Sequence, residues 1–508
     1  MFAKVRSAAV TGLQATLVSV EVDITNGLPA MHIVGLPDAM VQESKERVRA
    51  AIRNAGASFP LKRVAVNLAP ADIRKEGPAY DLPIALAILA ATGQVRLDRE
   101  DRLYLGELSF EGDIRPTNGV LPMVALARAE GIEEVIVPSA NAAEAALVAG
   151  VRVLPADHLA TIMHHLAGTA PIVPLTPQDP FALADDADEA VVDFAEIRGQ
   201  EHVKRALEVA ASGAHNVLMT GPPGSGKTLL ARALAGILPP LTLDEALEVT
   251  KIYSVAGLVR PDRPLIRRRP FRAPHHTTSY AALVGGGRKP GPGELSLANR
   301  GVLFLDELPE FPANALEAMR QPLEDKVITI SRVQGSVEYP TNVMLVAAQN
   351  PCPCGYAGDP ARLCSCTPAM IQRYAKRISG PLLDRIDIHI EVPRLEYEKL
   401  ADSRRGEPSA AIRARVSAAR EKQRARFAGT KLVANAEMGP AEIRQFCQVE
   451  PAAAAILKTA VAKLHLSGRA YHRVLKLART IADLADAETI GAPHVAEALQ
   501  YRPRRGDA

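Results

Sequence analysis

The sequence predicts an α/β protein in three parts. A mixed α/β domain (residues 1–170) and a linker (171–192) precede a parallel-sheet core built around a phosphate-binding loop (193–394), and a helical domain (395–508) closes the chain. Three observations carry this. Residues 216–237 read as a buried strand, a glycine-rich loop and a helix. The apolar run 302–305 ends in two adjacent acids. From about residue 410 onward, apolar positions recur at helical spacing.

At 508 residues the chain is too long for one hydrophobic core. Its 47% hydrophobic and 23% charged residues exclude a disordered chain, a collagen-like one and a coiled-coil rod. The longest apolar run, 82–91, is about half the length of a membrane span. Lys4 and Arg6 are followed by Thr11, Gln14 and Thr16, which interrupt any signal-peptide core. The expectation is a cytoplasmic protein without a membrane anchor.

In the first domain, 15–23, 64–68 and 135–138 read as strands, 42–55 as an amphipathic helix and 80–92 as a buried one. The linker holds Pro171, Pro174, Pro177 and Pro180, then Asp185, Asp186, Asp188 and Glu189. Proline without glycine makes a stiff spacer, and the acids keep it solvated.

In the core, the strand 216–220 leads into Gly221-Pro222-Pro223-Gly224-Ser225-Gly226-Lys227-Thr228 and a helix to 237. This is G-x-x-x-x-G-K-[ST] in the strand–loop–helix setting that phosphate binding requires. Backbone N–H groups and the helix N-terminus would cradle a phosphate. Lys227 would reach the β- and γ-phosphates of ATP, and the Thr228 hydroxyl would ligate Mg²⁺. Val302, Leu303, Phe304 and Leu305 form a strand apolar on both faces, so Asp306 and Glu307 emerge at its C-terminal end, the edge where open α/β sheets hold ligands. Asp306 would hold Mg²⁺ through water and Glu307 would polarise the attacking water, which points to ATP hydrolysis.

A third strand, 343–348, ends at Gln349 and Asn350. Asn350 is placed either to sense the γ-phosphate or simply to turn the chain. Residues 386–392 alternate as a half-buried strand, and Arg385 stands at its lip. It either projects toward a neighbouring subunit's nucleotide or pairs with Asp384 or Asp387.

Four of the five cysteines, Cys352, Cys354, Cys364 and Cys366, fall within 15 residues, while Cys447 lies alone in a helix, where it reads as core. Four thiolates in two C-x-C pairs suit a closed tetrahedral structural Zn²⁺ site, with reduced thiols or a redox role as the alternatives.

Two segments are candidates for a nucleic-acid path. Residues 326–330 and 336–339 read as a β-hairpin with Arg332 near its tip, and Arg413, Arg415, Arg420, Lys422, Arg424 and Arg426 form a basic helical stretch. After residue 400 there are 19 Lys and Arg against 11 Asp and Glu, a surplus of eight on a chain of net charge +3. Such a surface is either a site that holds phosphates without reading sequence or a solvated charged helical face. With no Trp and 4% aromatics, extensive base stacking is not expected. Arg267, Arg268 and Arg269 face either a pore or solvent. His275 and His276 lack metal-ligand spacing and receive no role.

The set formed by the glycine-rich loop, Asp306, Glu307, Asn350, Arg385 and a helical lid resembles AAA+ ATPases. Residues 272–277 (RAPHHT) and 292–298 (PGELSLA) resemble the magnesium-chelatase-like branch. Residues 301–311 and 350–355 (NPCPCG) narrow the likeness to the YifB/ComM family. The resemblance implies that Asn350 is a sensor, Arg385 an arginine finger acting on the adjacent subunit, and Arg469 a lid arginine closing on its own subunit's nucleotide. It implies a homo-hexamer and a helicase on single-stranded or branched DNA that promotes branch migration during natural transformation. The first domain resembles the S5-like fold of the Lon protease domain. Gly77 and Pro78 are followed there by Ala79, and Leu121 stands where a lysine partner would fall, so a Ser–Lys mechanism is not available. The rival readings are a metal-insertion motor, as in magnesium chelatase, and a protein unfoldase.

Overall fold

The computed structural model describes residues 1–72, 75, 77–97, 99, 101–176, 192–287, 291–332, 335–395 and 406–502. Most of the Pro-rich, acidic linker therefore lies outside the described residues. The chain divides into two compact units that do not follow chain order. The first comprises Met1–Asp185 with Leu243–Arg267 and Ser331–Tyr339, and the second comprises Asp186–Thr242, Arg268–Ile330 and Pro340–Ala508.

The first unit is a seven-stranded mixed sheet. Its strands are β1 (Phe2–Thr11), β2 (Gln14–Thr25), β3 (Ala30–Val34), β4 (Arg63–Ala69), β5 (Arg102–Tyr104), β6 (Glu134–Pro138) and β7 (Arg152–Ala156), in the order β3-β4-β2-β1-β5-β6-β7. β1 and β2 form a long antiparallel hairpin in register from Phe2↔Asp23 to Thr11↔Gln14. Helices α1 (Ala39–Asn54) and α2 (Asp81–Ala91) bury Val48, Ile52, Leu82 and Leu86 against Val18, Val20 and Val22. Asp38 starts α1 by accepting the Val41 N–H at 2.8 Å, the usual N-cap bond. Helix α3 (Val120–Ala129) meets the helix Leu243–Val255, and Gly119 N–H donates to the Ser254 carbonyl at 3.0 Å.

The second unit holds a five-stranded sheet that is parallel throughout: β8 (Val217–Thr220), β9 (Phe271–Arg272), β10 (Val302–Leu305), β11 (Met344–Gln349) and β12 (Ile388–Glu391), in the order β9-β10-β11-β8-β12. All four residues of β10 are buried, as expected for a strand covered on both faces. Helices α4 (Glu201–Gly213) and α5 (Lys227–Ile237) flank the sheet. The helical domain contributes α6 (Ser409–Arg426), α7 (Pro451–Leu464), α8 (Gly468–Leu484) and α9 (Ala492–Gln500). Val474, Leu477, Ile481 and Val495 share one apolar core with Val217, Met219, Phe304 and Val346, so sheet and lid are one unit. In chain order between β10 and β11, the expected hairpin is present as Val327–Arg332 and Gly335–Pro340. Among the described residues, no helix is long and apolar enough to cross a membrane.

Polar groups stitch this core together. Buried Asn216 accepts the Leu345 N–H and donates to the Arg385 carbonyl, both at 2.8 Å, joining β11 to the segment before β12. His215 lies between Asp387 (3.2 Å) and Thr480 (2.8 Å), and Asn435 extends the chain to Thr480 and Asp483. Asn216→Ala strips one buried and one partly buried backbone group of their partners, and each such loss costs about 1–3 kcal/mol when the group is kept from water. Urea unfolding of this variant is expected to show about 2–3 kcal/mol less stability than the parent chain. A change below about 0.5 kcal/mol would assign the joint to packing alone.

Candidate active site

The glycine-rich loop lies between the end of β8 and the start of α5. Its first residue must be glycine, because a Cβ on Gly221 would lie 2.2 Å from the Val392 carbonyl oxygen. Gly224 and Gly226 take φ of +74° and +90°, which turn the loop back into the helix. The Lys227 ammonium spends its three donors on Gly221 O (2.8 Å), Pro222 O (2.9 Å) and Asn350 Oδ1 (3.2 Å). Burial lowers its pKa below the ordinary lysine value, against the opposing pull of Asp306 and Glu307.

Asp306 and Glu307 follow β10, one strand away from Asn350, which follows β11. Thr228 Oγ1 donates to Asp306 Oδ2 at 2.6 Å, which brings together the hydroxyl and carboxylate expected to share a divalent cation. Glu307 is half exposed, takes φ of +54°, and lies with Oε2 3.2 Å from His276 Nδ1. The loop carrying His276 follows β9, the strand beside β10, and is anchored by Arg272, whose guanidinium grips both oxygens of Glu294 at 2.6 and 2.7 Å. His276 is thus a site residue that sequence reasoning left unassigned. Thirty-one positions separate it from Glu307, and only the β9–β10 pairing brings them together. Gln200 was missed for the same reason: its side chain donates to the carbonyls of Ser225 (2.9 Å) and Pro393 (3.0 Å).

Arg385 makes three contacts within the chain. It donates to Arg320 O and Pro381 O at 2.8 Å each and pairs with the Glu324 carboxylate. The intrachain pairing foreseen with Asp384 or Asp387 is corrected on partner. Asp384 is held by Arg473 at 3.0 Å and Asp387 by His215, which leaves Glu324 for Arg385. Arg469 is exposed in the first turn of α8 and has no hydrogen-bond or ion-pair partner among the described residues.

The basic stretch of α6 does not form a free cationic face. Arg413 donates to Gly236 O, Arg415 to Glu208 and Glu407, and buried Arg420 to Val433 O. Lys422 pairs with Asp486, Arg424 with Glu421, and Arg426 with Asp483 and Asn435. The acids that pair with Arg415, Lys422 and Arg426 come from other parts of the chain, whereas Arg424 pairs with Glu421 on α6 itself. Arg269 is likewise engaged, with the Pro239 and Arg300 carbonyls at 2.7 Å each. The Arg332 side chain and the hairpin tip lie outside the described residues.

The cysteine cluster assembles as its spacing predicts. Sγ–Sγ distances are 3.4 Å for Cys352–Cys354, 3.7 Å for Cys352–Cys364 and 3.6 Å for Cys354–Cys364, and all four sulfurs lie within 4.8 Å of one another. A tetrahedral Zn²⁺ with bonds of about 2.3 Å requires sulfurs about 3.8 Å apart, so the set fits. Ala357 N–H points at Cys352 Sγ and Cys366 N–H at Cys364 Sγ, as thiolates require. Backbone N–H groups of Tyr356 and Ser365 bring the Cys354 thiol down to about 5, while burial and the neighbouring sulfurs push Cys364 and Cys366 above the ordinary thiol value. Cys447 is buried, as expected of a core residue.

Known proteins place this architecture. Residues 193–400 match the family model described as magnesium chelatase, subunit ChlI, with residues 20–141 and 406–502 matching its companion models for subunit ChlI and for the ChlI C-terminal region. The competence protein ComM of Haemophilus influenzae is 45% identical over 503 residues, covering 98% of this chain and 97% of that one. YifB of Escherichia coli is 44% identical over 501 residues, covering 98% and 96%. The magnesium-chelatase 67 kDa subunit of Heliobacterium mobile is 28% identical over 229 residues, covering 40% of this chain and 33% of that one.

Purified chain is expected to carry about one zinc, measured by elemental analysis, because four soft thiolates favour that ion. Replacing Cys352 and Cys354 together with Ser should remove it. Freshly prepared chain devoid of metal would contradict the fit.

Proposed function

The chain belongs to the YifB/ComM family of magnesium-chelatase-like AAA+ ATPases, and from that premise we propose that it is a ring-forming motor that hydrolyses ATP to move DNA, promoting branch migration as incoming DNA is integrated. The observation that carries the reading is the near-complete match to a competence protein, together with Lys227, Thr228, Asp306, Glu307 and Asn350 meeting at one sheet edge. The magnesium-chelatase subunit matches 40% of the chain, which favours this reading over metal insertion. Ala79 and Leu121 weigh against coupling to proteolysis.

In the proposed cycle, Gly221–Thr228 wraps the triphosphate and Lys227 moves from its carbonyl partners to the β- and γ-phosphates. Thr228 and Asp306 are the residues that would hold Mg²⁺, and the ion would supply positive charge beside the transferred group. Glu307 orients and polarises the attacking water, and Asn350 positions it against the γ-phosphate. Arg469 closes the lid over the same subunit's nucleotide. Arg385 leaves Glu324 to reach the adjacent subunit's nucleotide, so that hydrolysis requires a formed ring, read as a homo-hexamer. DNA is gripped through its phosphates, with the hairpin around Arg332 as the contact, since the α6 arginines are engaged elsewhere.

Glu307→Gln is expected to keep ATP binding while turnover falls by about 100-fold or more, because an amide cannot act as the base. On the parent chain, branched DNA should raise ATP turnover, with an affinity that weakens with salt and ignores sequence. Arg332→Ala should impair displacement of a strand from a labelled three-strand junction more than it impairs basal turnover. Normal turnover by Glu307→Gln would overturn the catalytic assignment. Turnover in the parent chain that is indifferent to DNA would overturn the DNA reading and favour the metal-insertion or unfoldase class.

A further inference from the structure

The segment between β11 and the helix Pro368–Ala375 has no regular secondary structure from 350 to 367, yet it touches the phosphate-binding loop at two points. At its start, Asn350 Oδ1 accepts from Lys227 Nζ. Five residues on, Gly355 takes φ of +88° and lies against the Pro223 ring so closely that a Cβ there would be 2.6 Å from both Cγ and Cδ. The turn between these points is closed by Gly355 N–H donating to Cys352 O at 2.9 Å, and it contains two of the four clustered cysteines. Cys364 and Cys366 come from the far end of the segment, so a cation on the four sulfurs ties the turn to a second anchor. An irregular loop of this length is otherwise held by few backbone bonds.

We propose that the cysteine-held metal is a staple for nucleotide binding: by fixing the turn 350–355 it buttresses Pro223 and aims Asn350 at Lys227, so that ATP affinity follows metal occupancy. This rests on the zinc reading of the cluster. Gly355 is a positioning residue, acting on nucleotide only through Pro223.

The test uses the full-length chain and a fluorescent ATP analogue with Mg²⁺, with zinc content measured in parallel. A zinc-selective chelator that leaves Mg²⁺ in place is expected to weaken analogue binding about tenfold, and added Zn²⁺ should restore it without any substitution. Gly355→Ala should retain its zinc yet bind the analogue about tenfold more weakly, since the new methyl overlaps the proline ring. Pro223→Ala in that background should recover part of the loss by removing Cγ and Cδ. Zinc fully removed with analogue affinity unchanged would overturn the staple while leaving the metal site standing. Gly355→Ala binding as the parent chain does would also overturn it. A parent chain that never holds metal would overturn the zinc reading and the staple together.

Discussion

The arrangement depends first on one buried cation. The Lys227 ammonium is held out of bulk water by two loop carbonyls and one amide oxygen, with no carboxylate in hydrogen-bond contact among the described residues. Neutral acceptors satisfy its donors but do not neutralise its charge, which is why burial lowers its affinity for the proton. A polyphosphate would supply what is missing. The rest of the sheet edge follows from holding that ammonium in place. Gly221 must pass under the Val392 carbonyl, which β12 positions, while Asn350 arrives after β11 and Asp306 after β10. Strand order therefore decides which side chains can meet the nucleotide.

A second constraint ties the lid to the opposite end of the same sheet. Arg473, one helical turn beyond Arg469 on α8, donates to the Ile386 carbonyl and to Asp384, on either side of Arg385. Asn216 holds the Arg385 carbonyl itself. The backbone that carries Arg385 is thus gripped by the lid and by the core together, while its guanidinium rests on Glu324. His215, buried between Asp387 and Thr480, repeats the same lid-to-sheet connection deeper in the core. Such buried polar chains specify one packing of lid on sheet, because any slip would strand charged groups without partners.

The features legible in the sequence were those whose logic is local. The glycine-rich loop, the acids after an apolar strand, the paired C-x-C motifs and the helices of the lid are each written in fewer than about twenty consecutive residues. Features that depend on distant partners were not legible. His276 reaches Glu307 only because β9 lies beside β10. The α6 arginines look like a polyanion surface until Glu208, Asp483 and Asp486 appear next to them from α4 and the end of α8. Strand β1 was missed because its Ser-Ala-Ala run at 7–9 is buried without a break, so the alternation that marks a half-buried strand is lost. The inclusion of Leu243–Arg267 and Ser331–Tyr339 in the first unit had no sequence signal at all, since both interrupt the ATPase core.

The most direct measurement is an experimental structure of the chain with Mg²⁺ and a non-hydrolysable ATP analogue. The expected result is Lys227 Nζ displaced from the Gly221 and Pro222 carbonyls onto the β- and γ-phosphates, with a cation between Thr228 and Asp306 and the Glu307 carboxylate facing the γ-phosphate. An analogue bound elsewhere, with Lys227 still on its three present acceptors, would contradict the reading of this sheet edge as the site of ATP hydrolysis.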